Sequence, residues 1–76
     1  MLLVAKKVRT WSGAKLRELR LAAGLTQAQL AEKADIRAAA VSDYEHDKAE
    51  PTFTILCRLA AALDVELNAF APTKRA

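Results

Sequence analysis

Cysteine occurs once, at Cys57, and histidine once, at His46. A lone cysteine excludes an internal disulfide and a cysteine zinc cluster, so Cys57 reads as a buried structural thiol. His46 alone does not make a metal site, and no metal or cofactor is expected. Glycine and proline number two each, and β-branched runs are missing. With so few helix breakers, and with alanine and leucine carrying most of the 53% hydrophobic share, the composition is that of a helical protein. No stretch approaches the ~20 apolar residues that span a bilayer. The opening "MLLVAKK" does not resemble a signal peptide either, because its lysines follow a short apolar run instead of preceding a longer one. A cytoplasmic protein without a membrane partner is expected. There is no glycine-rich phosphate loop and no supported Cys/His or Ser/His set, so an enzyme is not expected.

The chain has 76 residues, enough for one small domain that buries only about 60% of its unfolded surface. Self-association would add stability. Charge is unevenly spread. Residues 1–20 hold six basic side chains (Lys6, Lys7, Arg9, Lys15, Arg17, Arg20) against Glu18, whereas residues 26–73 hold four basic and eight acidic ones. Lys74 and Arg75 add two more positive charges. A basic arm (1–11) and a basic tail (71–76) therefore flank a more acidic body (12–70). They are either solvated termini or a means of attracting a polyanion.

Helix signals punctuate the body. Ser12 is a good N-cap, followed by Leu16, Leu19, Arg20 and Ala23 on one face, with Gly24 as the stop. Thr26 and Gln29 form a capping-box pair for a second helix, whose inward face is Leu30, Ala31 and Ala34. Ile36 packs beneath the turn, and a third helix runs from Arg37 to Glu45 with Val41 and Tyr44 inward. Pro51 disfavours helix at Glu50, Thr52 caps a fourth helix, and Phe53, Leu56, Leu59, Ala60 and Leu63 give it an apolar stripe. "DVELNAFAP" reads equally as a short fifth helix or as a strand. The sum is an all-α compact bundle of four or five short helices. Three helix ends carry Asp35, Asp47 and Asp64 where glycine would be easiest, although the charge is unfavourable beside a helix C-terminus.

The second and third helices are short and joined by a tight turn, and Ala31 is small where they cross. That is a helix-turn-helix pattern. In "LRLAAGLTQAQLAEKADI" and "VSDYEHDKAEPTFTILCRLAAALDVEL" the chain resembles the phage repressor and Cro-like (XRE) helix-turn-helix family, over about residues 13–70. The resemblance implies a lambda-repressor-like, five-helix domain that binds double-stranded operator DNA as a homodimer. It also implies a buried structural ion pair between Arg20 and Glu45, in which removing one partner costs about 3–5 kcal/mol because it strands a buried charge.

Residue by residue, the resemblance places DNA contacts at Gln27, at the tip of the third helix (Arg37, Ala38, Ala39, Ser42, Asp43) and at His46 and Lys48. This set is unusual for a reading helix. Ala38 and Ala39 offer only methyl contacts to thymine. Arg37 suits guanine or a phosphate but is a poor N-cap. Ser42 can donate or accept, and Asp43 accepts from a cytosine amino group but repels phosphate. Specificity then falls partly on DNA shape and half-site spacing.

The leading expectation is a small transcriptional repressor. The alternatives are an antitoxin that neutralises a toxin and autorepresses its operon, with Trp11 and Leu2–Val4 as a partner edge unless they simply cover the core, which is the commoner role of such residues, and a protein-interaction module without DNA binding. Val65, Leu67 and Phe70 are the expected dimer interface.

Overall fold

The computed structural model describes residues 11–71. The arm residues Lys6, Lys7 and Arg9, the apolar Leu2–Val4 and the tail residues Lys74 and Arg75 lie outside the described residues. Four α-helices follow one another, α1 (Gly13–Ala22), α2 (Gln27–Ala34), α3 (Ala38–Glu45) and α4 (Phe53–Leu63), and a 3-10 turn closes the bundle at Leu67–Phe70.

Local chemistry starts each helix. Ser12 Oγ accepts from the Lys15 N–H at 3.3 Å, and Thr52 Oγ1 accepts from the Ile55 N–H at 3.3 Å. At α2 the capping box is complete: the Gln29 N–H donates to Thr26 Oγ1 at 3.0 Å and the Thr26 N–H donates to Gln29 Oε1 at 2.8 Å. Two backbone donors left over by the helix are thereby satisfied reciprocally. Gly24 turns the chain after α1 with φ 75°. Asp35, Asp47 and Asp64 take the left-handed conformation at φ 60°, 59° and 58°.

Asp47 has a reason to be there. Its Oδ1 accepts from the Gly13 N–H at 3.1 Å, so a side chain at the end of α3 caps the start of α1. Its negative charge lies at the positive end of the α1 dipole. Gly13 is equally constrained, since a Cβ there would lie 2.3 Å from the Tyr44 carbonyl oxygen and 2.7 Å from that of Glu45. Only glycine lets α1 approach the end of α3 this closely.

The core comprises Leu16, Leu30, Ala31, Ala34, Val41, Leu59, Ala60, Leu63, Phe70 and Trp11, with Leu19, Ile36 and Tyr44 packed against it. Ala31 is 3% exposed where α2 crosses α3. Two sequence expectations, for Ala23 and Phe53, need correction, and two open readings, for Trp11 and residues 65–70, are resolved. Trp11, open between a partner edge and core cover, is a core residue; its ring meets Phe70 at 5.3 Å and Tyr44 edge-on at 6.2 Å. Ala23 is exposed, so the inward face of α1 ends at Arg20. Phe53 is 69% exposed, because it is the first residue of α4 and lies beyond the edge of the core. Residues 65–70 supply no strand: Glu66 is extended, but Leu67–Phe70 wind into the 3-10 turn. That turn buries Phe70 completely, and the Phe70 carbonyl accepts from the Ser12 N–H at 2.8 Å.

Candidate nucleic-acid interface

The candidate face is built on α3, and its rigidity comes from beneath. Arg20 of α1 donates from Nε to Glu45 Oε2 at 2.5 Å and from Nη2 to Oε1 at 3.1 Å, a two-pronged pair in which both side chains are buried. Arg20 Nη1 also donates to the Leu25 carbonyl at 2.8 Å, tying the α1–α2 connection into the same network. Gln27, the first residue of α2, completes it by donating from Nε2 to Glu45 Oε1 at 3.0 Å. A carboxylate accepts only, so the Gln27 amide nitrogen must face Glu45. This leaves its carbonyl oxygen and its second N–H for other partners.

The electrostatics follow from this geometry. Burial pushes the Glu45 carboxyl up, but the hydrogen bonds from Arg20 and Gln27 and the through-space charges of Arg20 and Arg17 outweigh it and hold the group below its ordinary value. The Glu45 hydrogen bond raises Arg20 in turn, against the effect of burial. Both groups are therefore charged at neutral pH. α3 is locked to α1 and α2 by a satisfied ion pair, not a stranded one.

Above this network, Ala38, Ala39, Asp43 and His46 are exposed and Ser42 is half-buried. α3 buries Val41 and Glu45 beneath them. Arg37 occupies the N-cap position with an extended backbone, and its side chain caps nothing. The guanidinium is thus available at the tip of the helix. His46 Nδ1 lies 2.8 Å from the Ser42 carbonyl oxygen. Because that oxygen accepts, Nδ1 carries the proton and Nε2 is the outward atom. Lys48 is exposed, and its backbone N–H donates to the Asp43 carbonyl at 2.8 Å, closing the turn after α3. Gln27, Arg37, Ala38, Ala39, Ser42, Asp43, His46 and Lys48 are all carried by α2, α3 and the turn that follows.

Two features escaped the sequence. The Gln27–Glu45 bond joins residues 18 apart in the chain, and no local rule announces it. Arg17 is exposed on α1, one turn before Arg20, and its charge reaches Glu45. The spacing of Arg17 and Arg20 was the available signal.

The helix-turn-helix family HTH_3 matches residues 16–70. The chain belongs to this XRE-type helix-turn-helix family. Among curated proteins it is 39% identical over 62 residues to the HTH-type transcriptional regulator PrpR of Mycobacterium tuberculosis. That alignment covers 82% of the chain but only 13% of PrpR. Among solved structures, the restriction-modification controller protein C.AhdI of Aeromonas hydrophila is 34% identical with a TM-score of 0.75, covering 76% of this chain and 88% of that one. The biofilm regulator SinR, solved in complex with DNA, is 28% identical with a TM-score of 0.70, covering 72% and 89%. The P22 c2 repressor bound to a synthetic operator shares the fold, with 24% identity, a TM-score of 0.76 and 80% and 92% coverage. PrpR is a transcriptional regulator, and SinR and the P22 c2 repressor are solved bound to DNA. Among the described residues, no helix of this XRE-type domain is long and apolar enough to cross a membrane.

Proposed function

We propose that this XRE-type domain binds operator DNA as a homodimer through α2 and α3 and represses transcription. The observation that carries the reading is the open face of α3, from Arg37 to His46, held rigid by the Arg20–Glu45–Gln27 network. A reading element fixed before binding loses little conformational freedom when it meets DNA. In the complex, Gln27 and Lys48 contact phosphate, Ala38 and Ala39 meet thymine methyls, and Arg37, Ser42 and Asp43 address base edges. His46 lies at the margin of the same footprint.

The homodimer reading rests on a groove between α4 and the closing 3-10 turn. Phe53, Leu56, Leu67, Asn68 and Ala71 line an apolar groove of about 380 Å³, with Phe53 69% and Leu67 36% exposed. A second copy seated there covers both side chains and sets two reading helices for paired half-sites. Of the three expected interface residues, Leu67 lines this groove, whereas Val65 packs against the core and Phe70 is fully buried within the chain.

Leu67→Asp tests the interface by placing a charge in the groove. Light scattering should give a dimer for the parent and a monomer for the variant, with looser operator binding by the variant. A dimeric mass in both would rule out this surface.

A further inference from the structure

We propose that Arg17 is a DNA-backbone contact which, together with Gln27, clamps one phosphate beside the start of α2. The inference rests on the DNA-binding reading and adds to it a residue and a class of ligand atom, the anionic phosphate oxygen.

The need for such a contact is electrostatic. The candidate face carries Arg37 and Lys48 against Asp43, and residues 26–73 as a whole hold twice as many acids as bases. Sequence-independent affinity for DNA comes from cations placed against phosphates, so this face is short of the usual source. The positive charge of the chain is concentrated in its first twenty residues, and α1 is the described element that brings part of it to the site.

Of the cations on α1, two are already engaged. Arg20 is buried in the pair with Glu45, and Lys15 lies 3.5 Å from Glu18. Arg17 is exposed and makes no hydrogen bond or ion pair with another described residue. It lies on the Glu45 side of α1, since it is one turn from Arg20 and its charge acts on the Glu45 carboxyl. Gln27 reaches the same carboxylate from α2. Arg17 and Gln27 therefore approach one corner from two helices.

Glu45 does not compete for Arg17. Its oxygens already accept from Arg20 and from Gln27, and the Arg20 charge balances its own. The Arg17 guanidinium keeps its planar fork of donors, which matches two oxygens of a phosphate. The Gln27 amide keeps a second N–H, held in direction by its first. A phosphate at this corner takes both, and the contact reads no base.

Anisotropy titrations of the parent, Arg17→Gln and Arg17→Lys against one duplex from upstream of the chain's own gene and one scrambled duplex test the assignment. Melting temperatures are recorded alongside. Arg17→Gln should melt with the parent, weaken binding to both duplexes by the same factor and reduce the slope of log affinity against log salt by about 1. Arg17→Lys should keep the slope. An unchanged slope in Arg17→Gln, with salt-sensitive binding by the parent, would overturn the Arg17 assignment alone. A loss confined to the upstream duplex would overturn it too, since it would make Arg17 a base reader. An absence of salt-sensitive binding by the parent would overturn the DNA-binding reading and the assignment together.

Discussion

Gln27 Nε2 donates to Glu45 Oε1 at 3.0 Å, onto the same oxygen that accepts from Arg20 Nη2 at 3.1 Å. One buried carboxylate thus orders three helices: α1 through Arg20, α2 through Gln27 and α3 through its own backbone. A residue at the candidate DNA face is held by a group that is itself buried at 7% exposure.

That sharing makes Glu45 a sensitive polar position. Glu45→Gln should cost about 3–5 kcal/mol, because it leaves the Arg20 charge buried without its counterion. A domain of this size has a total stability on the order of 5 kcal/mol, so urea melts should show a variant close to unfolded. The pH dependence has a definite sign. Folding lowers the Glu45 pKa, so its contribution is complete above the unfolded value of about 4.3 and is lost as pH falls through the folded value below it. The parent should lose stability steeply below about pH 4. The variant should show a shallower acid limb in the same melts.

Gly13→Ala isolates the closest approach of two elements. The added Cβ would lie 2.3 Å from the Tyr44 carbonyl oxygen and 2.9 Å from Asp47 Oδ1, and the first of these is backbone that cannot swing aside. Alanine is the better helix former at an ordinary site, so propensity predicts a gain. The packing predicts a loss instead, of about 1–3 kcal/mol. Thermal melting distinguishes the two by sign.

The left-handed aspartates should separate into two kinds. Asp64 ends α4 with its charge at the unfavourable pole of the helix, and Asp64→Asn should stabilise by about 0.3–1 kcal/mol. Asp47 caps Gly13, so Asp47→Ala should destabilise by about 0.5–2 kcal/mol. Denaturant midpoints measured at equal salt would show the opposite shifts.

What could be read from the sequence was local, or was carried by the family pattern. Ser12, Thr26 with Gln29, and Thr52 are N-caps because each meets a backbone N–H only three residues on, and such short-range chemistry is visible in the residue order. The inward residues of α2 and α3 follow from helical spacing. The Arg20–Glu45 partnership came from the family pattern, since 25 residues separate the two. What stayed hidden depends on how distant segments meet. Asp47 finds Gly13 across 34 residues. Trp11, left open between core and partner edge, enters the core because Phe70 and Tyr44 make a place for it. Phe53 belongs to the right stripe by periodicity but stands one turn past the core's edge. Residues 65–70 alternate like a strand, yet Phe70 gains more from burial beside Trp11 than an isolated strand could offer.

The proposed function requires that a helix tipped with Arg37, Ala38 and Ala39 recognise a DNA sequence. The most direct measurement is fluorescence anisotropy of the purified protein against the duplex upstream of its own gene and a scrambled duplex, at roughly 50 and 200 mM salt. Binding should be tighter to the upstream duplex at both salts, and Arg37→Ala should weaken that preference. Equal, feeble binding to both duplexes, unchanged by that substitution, would contradict the proposed function and make α3 a scaffold for a protein partner.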